Sequence, residues 1–477
     1  MRDLRDFLSE LGDELQIISD EIEPITQAGV LSSESKHPYL LDNLKGFPGW
    51  RFTDMLVASR ENQARALGTT RDQVVPYLAS RIFDQPPAPR RLLQDGPCKE
   101  VKLFGEQADV RRLPIPIHSV GDGGRYLGSG LTLTQDPDTG VANVSIIRTQ
   151  LRDDQPRRVG FWMAARHNWA HYLKYEERDE PMPMAFVIGL HPAFDILANY
   201  SGEHADFDEF QLAASVLGDE LEVVRCETSD LEVPANAEIV IEGFVAPHVR
   251  EPEGPFGEFT GFQGGKTGTA PVMEITAITH RHNPIFRHMQ ATMFTDHQPL
   301  VALPMEAALF RRVSTVQGGL AVHDVHVPGW ASIFVAVIQM TPKWDGQAQA
   351  AGLAALSSVN LHPKIAIVVD EDVDIYDGND ILWALSCRLN PAKDVLIIPN
   401  ERIHPLDQSA PLLNDDVTAM RFGSKMVLNA TKPPTTRPMD RGEFARVKVQ
   451  GTGDSALDGV LAAIAQFDGS RPRSRMA

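Results

Sequence analysis

Between Val101 and Ala291 the sequence is cut into short β-branched runs by turn residues, and a stretch of that kind folds best as a mostly antiparallel sheet. The runs include "SGLTLTQDPDTGVANVSIIRTQL", "PMAFVIGL", "LEVVRC", "EIVIEGFVA" and "VMEITAITHR". In the first, Asp136-Pro137-Asp138-Thr139-Gly140 reads as a hairpin turn between two strands. From Pro299 onward the pattern changes. "ASIFVAVIQM" and "KIAIVVD" alternate with the helical stretches "GQAQAAGLAALSS" and "NDILWALSCRL", the signature of an α/β layer. Ahead of both regions, Leu4, Phe7, Leu8 and Leu11 recur at helical spacing, Gly12 stops that helix, and "ELQIIS" reads as a strand. A further helix falls near "SRENQARALG", and the proline-rich "DQPPAPRRLLQDGP" marks a linker at residues 85 to 97. The tail from Met426, "TKPPTTRP" followed by "DSALDGVLAAIAQF", reads as an extended arm and an amphipathic helix suited to gripping another subunit.

Charge narrows the partners. A formal net charge of -19 argues against nucleic acid and anionic membrane, because the field outside the protein repels phosphates on average. Three cysteines, Cys98, Cys226 and Cys387, lie far apart with no CxxC pair, which supports neither a disulfide framework nor a structural zinc site. The first residues carry charges throughout, and no run of about 18 apolar residues occurs, so the expectation is a cytoplasmic protein.

Three stretches concentrate chemistry. "EPEGPFGEFTG" places Glu253 and Glu258 around a segment that glycine and proline keep out of a helix. As a surface turn it is solvated; as a loop aimed at one cavity its two carboxylates cannot both ionise easily, and one holds a proton to donate. "NVSIIRTQ" sets Asn143, Ser145 and Arg148 on a strand of apolar residues. Period two puts Asn143 and Ser145 on one face and Arg148 on the other unless a bend re-aims it, and an arginine among isoleucines needs an anionic partner unless it lies at the surface. "ARHNWAHY" carries His167 and His171 at i, i+4, a spacing that suits a metal or a purely structural pair, and "DEFQLAASVLG" adds Glu209 at a helix start. One amide, one imidazole and one carboxylate suit a hard or borderline divalent ion. No Walker loop or dinucleotide fingerprint is present, since "GGRYLGSG" has the wrong spacing and leads into a strand.

The order and spacing of these pieces, "DPDTG", "NVSIIR", "RH", "DEF", "VPANAEIVIEG", "PEGPFGEFTG" and "VVDEDVDIYDGNDILWAL", resemble the UbiD family of decarboxylases over nearly the whole chain. The N-terminal "DLRDFLSELGDELQII" and "LLDNLKGFPGWRF" fit it too. The resemblance implies an α+β fold: an N-terminal α/β part (1–97), a central split β-barrel that binds the flavin (98–298), a C-terminal α/β oligomerisation domain (299–425) and an arm with a terminal helix (426–477). It implies reversible decarboxylation of aromatic, heteroaromatic or α,β-unsaturated acids with prenylated FMN, a cofactor made by a separate flavin prenyltransferase. Arg148, Glu253 and Glu258 match the family's catalytic network, in which Arg148 would orient the substrate carboxylate, Glu253 would hold Arg148, and Glu258 would act as proton donor. Asn143, His167 and Glu209 match the ligands of a divalent metal, manganese or magnesium, with potassium nearby; Ser145, Ile146 and Arg166 match positions lining the cofactor. One family lysine has no match, its place falling near Ser358, with Lys364 further on. Dimers or hexamers are implied as well.

For the substrate, Phe259, His297 and Gln298 are candidate pocket residues, with Met293 and Leu300 as apolar walls. A histidine beside an aromatic wall suits a flat heteroaromatic acid of indole, pyrrole or furan type, such as indole-3-carboxylate, although His297 also suits an ordinary loop. Phenolic or acrylic acids are the alternative substrate class. A non-catalytic or redox flavin-binding split-barrel protein, and a glycosidase using the two glutamates, are the competing functions.

Overall fold

In a computed structural model of the chain, the described residues are 1–164, 166–202, 208–264, 268–315, 321–411 and 421–447. The alternating runs fold into a nine-stranded antiparallel sheet. Along it lie Tyr126–Leu127, Thr149–Leu151, Arg158–Phe161, Val272–His280, Ile239–Val245, Met182–Ile188, Leu131–Gln135 and Ala142–Ile146, with Val101–Phe104 added beside Val272–His280. The Asp136–Gly140 turn joins two paired strands as expected, Leu131 facing Ile146 and Gln135 facing Ala142. The first and last strands of this path do not pair, so the sheet is an open, curled half-barrel.

Period two sorts its core. Ala185 and Val187 face the helices Leu4–Leu11, Pro192–Leu197 and Glu209–Leu217, while Met184, Phe186 and Ile188 face a second cluster with Phe161, Ile241 and Ile275. The C-terminal layer is a five-stranded sheet whose inner strands Val335–Thr341, Ile365–Val369 and Arg421–Ala430 run parallel, with antiparallel strands Ala321–His326 and Val395–Ile403 at its edges. Helices His297–Thr315 and Gln347–Leu356 cover one face and Gly378–Arg388 the other, as buried parallel strands require.

Four expectations are corrected. The proposed linker contains a strand, Arg90–Leu92, because its backbone pairs in parallel with Leu221–Val223. The N-terminal part is not self-contained, since Ile285–Arg287 completes its four-stranded sheet by pairing with Arg51–Thr53. The boundary at 298/299 falls inside the helix His297–Thr315. The arm expected from Met426 begins inside the C-terminal sheet, where Met426 to Ala430 pair with Ile365 to Val369. The expected terminal helix at 454–467 lies outside the described residues. Among the described residues no helix is long and apolar enough to cross a membrane.

Where the N-terminal sheet meets the rest, Arg287 is fully buried among three fully buried aspartates. Its Nε donates to Asp195 at 3.1 Å, Nη1 to Asp54 at 2.9 Å and Nη2 to Asp296 at 2.7 Å, which binds a strand end, a helix and the entry to His297–Thr315 into one joint.

Candidate active site

The strand Ala142–Ile146 stops two residues before Arg148 and Thr149–Leu151 starts one after it. That break frees the guanidinium from the period-two face and turns it toward the Glu251–Glu258 segment. Arg148 Nε and Nη2 donate to the two oxygens of Glu253 at 3.1 and 3.0 Å, and Nη1 donates to Glu258 Oε1. The rings of Trp162 and Phe256 lie 5.6 and 5.3 Å from Arg148 Cζ. Glu253 is buried, and the Glu258 side chain is 11% exposed. Burial pushes the Glu258 carboxyl up; Arg148 pulls it down, Glu253 and Asp122 push it up, and the balance leaves it raised. Burial works against the charge of Arg148, but Glu258 and Glu253 hold its guanidinium above the ordinary value. An acid that keeps its proton next to a fixed cation can bind an anionic group and protonate it.

A second group adjoins the first along the same strand. Asn143 Oδ1 lies 3.0 Å from His167 Nδ1, and the Asn143 amide nitrogen donates to Asn168. Glu209, at the start of its helix as expected, accepts from Val144 N at 2.7 Å. Burial raises the Glu209 carboxyl to about 8, and among the described residues Asp208, another acid, adds to the rise. Arg166 is the converse: it donates to Ser201 Oγ at 2.6 Å, and burial followed by repulsion from Arg402 lowers its guanidinium. Among the described residues, a half-buried acid without a cation and an arginine without a carboxylate, close to an amide oxygen and an imidazole, fit a divalent cation together with a phosphate. Ser145 Oγ accepts from Asn168 Nδ2 at 2.8 Å, and Ile146 packs half-buried on the core. His171 is not part of this group; its Nδ1 is bonded to Thr134 Oγ1 at 2.9 Å in a buried position.

The expected pocket wall forms only in part. The His297 ring stacks on Phe259 with centroids 4.8 Å apart, its Nδ1 has no hydrogen-bond partner among the described residues, and burial, then His118 and Arg287, lower the imidazole to about 4. Gln298 does not line a pocket: its amide donates to Phe259 O at 2.9 Å and accepts from Phe294 N at 3.0 Å, so both ends are committed to the backbone. Leu300 is fully buried in the core instead of forming a wall. Met293 packs against the backbone at Gly261, where a Cβ would meet its sulfur at 2.3 Å. Lys364, which lies beyond the place of the unmatched family lysine, is paired with Asp407 at 2.8 Å. The C-terminal layer borders the site, with Ser332 Oγ donating to Thr260 O at 3.1 Å.

Several residues at the site had no signal of their own in the sequence. Tyr126 packs on Phe256 with centroids 4.5 Å apart and donates to Pro255 O at 3.2 Å; burial, then Glu253, push its phenol well up. Gln150 accepts from Gly254 N at 3.1 Å, and Trp162 faces Arg148. Asn168 orients both Asn143 and Ser145. The available hint was "GDGGRY", where an aspartate stands among glycines before a strand.

Comparison with known proteins then adds relationship to geometry. A family model described as UbiD, 3-octaprenyl-4-hydroxybenzoate carboxy-lyase Rift-related domain, matches residues 91–293, and the C-terminal domain of the same carboxy-lyase matches 299–430. A phenolic acid decarboxylase of Bacillus subtilis is 30% identical over 467 residues, spanning 93% of this chain and 95% of the relative. The solved structure of the UbiD-class enzyme HmfF from Pelotomaculum thermopropionicum in complex with FMN superposes with a TM-score of 0.85 at 32% identity, covering 96% of this chain and 100% of that one. An evolved dimeric form of HmfF in complex with prFMN gives a TM-score of 0.83 at 31% identity, covering 96% of this chain and 100% of that one.

Proposed function

The chain belongs to the UbiD family of carboxy-lyases, and from that premise we propose that it reversibly decarboxylates a flat aromatic or heteroaromatic acid with prenylated FMN. The observation that carries this reading is the Arg148 guanidinium bridging Glu253 and Glu258. Prenylated FMN, when bound, supplies an electron sink for the charge left on the ring carbon as carbon dioxide departs, chemistry that side chains do not offer. Arg148 takes the substrate carboxylate, and Glu253, bound to it through two hydrogen bonds, keeps it in place. Glu258 holds a proton beside this cation and delivers it to the carbon that has lost its carboxyl group. Carboxylates sharing one guanidinium are not the free acid and base of a glycosidase. Asn143, His167 and Glu209 would hold a manganese or magnesium ion, with potassium nearby, against the cofactor phosphate, and Arg166 would face the same phosphate.

In this reading residues 98–298 carry the flavin, the C-terminal layer borders the substrate, and a flavin prenyltransferase supplies the cofactor. Copies of the chain associate as a dimer or a hexamer; an evolved form of HmfF is dimeric. His297, neutral and with a free ring nitrogen over Phe259, suits a ring hydroxyl or a ring N–H. Indole-, pyrrole- and furan-type acids fit it, and so do phenolic acids, which the phenolic acid decarboxylase relative brings forward. The test is co-expression with a flavin prenyltransferase, followed by carbon dioxide release from a panel of both acid types. Glu258→Gln should retain flavin and fall in turnover by about 10²- to 10⁴-fold; full turnover in that variant ends the assignment.

A further inference from the structure

Two loops are bolted together beneath Glu258. One is residues 118–124; the other runs from Gly254 to Glu258. Gly123 N donates to Pro255 O at 2.8 Å, Gln150 bridges Gly254 N and Gly123 O at 3.1 and 2.9 Å, and Tyr126 OH donates to Pro255 O. At Gly257 a Cβ would meet Ser119 Oγ at 2.7 Å, so a larger residue here would push Ser119 aside. Among these groups Asp122 brings the charge. Its Oδ1 accepts from Gly257 N and Ser119 Oγ, both at 2.7 Å, and its Oδ2 accepts from His118 N at 3.1 Å and Ser119 N at 2.8 Å. All four donors are neutral, no ion pair joins Asp122 to a basic side chain among the described residues, and one of the donors is the amide preceding Glu258.

We propose that Asp122 is the positioning residue for Glu258: it fixes the backbone from which the proton donor projects, and its uncompensated charge disfavours a second anion beside it. This rests on the reading of Glu258 as proton donor. Carboxylates in one poorly hydrated region resist joint ionisation. The other charged groups acting on Glu258 are Arg148, which favours the anion, and Glu253, which is already bound to Arg148; packed on Phe256 of the same loop, Tyr126 is a neutral phenol, and His118, lowered by burial and His288 to about 3, is neutral as well. Asp122 is therefore the second acid, after Glu253, that keeps the Glu258 proton against the pull of Arg148.

The experiment follows the carbonyl stretch of protonated Glu258 by infrared difference spectroscopy against pH in the flavin-loaded protein, the band being identified by its loss in Glu258→Gln. In Asp122→Asn the midpoint should fall by about half a pH unit or more, and the basic limb of the turnover profile should move with it. Asp122→Ser provides a second uncharged variant should the asparagine protein not fold. Ser119→Ala removes one bond and keeps the charge, so its midpoint should stay at the parent value while turnover drops. A midpoint unmoved in both uncharged variants, or moved equally in Ser119→Ala, overturns the proposal. A parent midpoint in the ordinary glutamate range instead overturns the proton-donor reading beneath it.

Discussion

At the scale of single residues, the trio shows what spacing can and cannot predict. Glu253 and Glu258 were legible because proline and glycine forbid a helix between them, leaving a loop that can aim both acids one way. Arg148 was legible as an arginine needing an anion, but period two alone set it on the far face from Asn143; only the two-residue break after Ile146 re-aims it. Gln298 misled, since a polar residue beside a pocket histidine looks the same in sequence whether it meets a ligand or the backbone. Asp122 showed only as an aspartate among glycines, because its decisive partner, Gly257, is 135 positions away. The geometry of Arg148 yields a prediction. Lysine keeps the charge but cannot make two bonds to Glu253 and a third to Glu258. Arg148→Lys should therefore keep the fold and lose at least about a hundredfold in turnover. Steady-state kinetics beside a melting curve check it, and near-parental turnover would show that charge alone suffices.

At the scale of elements, strands were found where β-branched runs announced them and missed where pairing made them. "RRL" at Arg90–Leu92 is exposed and lies between proline-rich and turn segments; it is a strand because Leu221–Val223 offers a partner. The acid-rich turn after Ile365–Val369 has a structural use that its composition did not disclose. Arg441 bonds Asp370 and Glu371, Arg446 bonds Asp380, and Lys432 lies 3.2 Å from Glu371, so residues 432–446 are strapped to this turn chiefly by charge. Burial, then the Glu371 hydrogen bond, raise Asp370 to about 7, so its contribution to the strap declines as pH rises from 3.8 to about 7. Exposed ion pairs contribute about 0–1 kcal/mol each and are screened within about 3 Å at 1 M salt. High salt, or Arg441→Ala with Arg446→Ala, should raise hydrogen exchange and protease cleavage within 432–447 while the sheet strand Arg421–Ala430 stays protected. Exchange rates unchanged by salt would mean that apolar packing holds the segment.

At the scale of the whole molecule, the parts share strands and charges instead of meeting at linkers. Arg60 of the N-terminal part donates to Glu306 of the C-terminal helix at 2.8 Å and to Tyr376 at 2.8 Å, and Ile285–Arg287 crosses back into the first sheet. The Arg287 joint makes this sharing measurable. Three aspartates around one guanidinium, all without solvent, cannot all be anionic, because two excess charges would go unpaired in a low-dielectric interior. Asp54 has the best claim to ionise, since Ser32 Oγ, Met55 N and Arg287 all donate to it. Asp296 has one unpartnered oxygen, and burial raises both it and Asp195, the latter to about 7 against an ordinary 3.8. The sign follows from the protons. Below pH 3.8 the folded and unfolded chains both hold them; between 3.8 and about 7 the unfolded chain releases protons the fold retains, so stability from this joint declines as pH rises and the decline ends near 7. Asp296→Asn keeps a neutral group of the same shape and has nothing to release. Its melting temperature should accordingly match or exceed that of the parent at pH 7 and show a smaller drop between pH 5 and pH 7, measured by calorimetry on both proteins; a steeper drop in the variant would place the retained proton elsewhere.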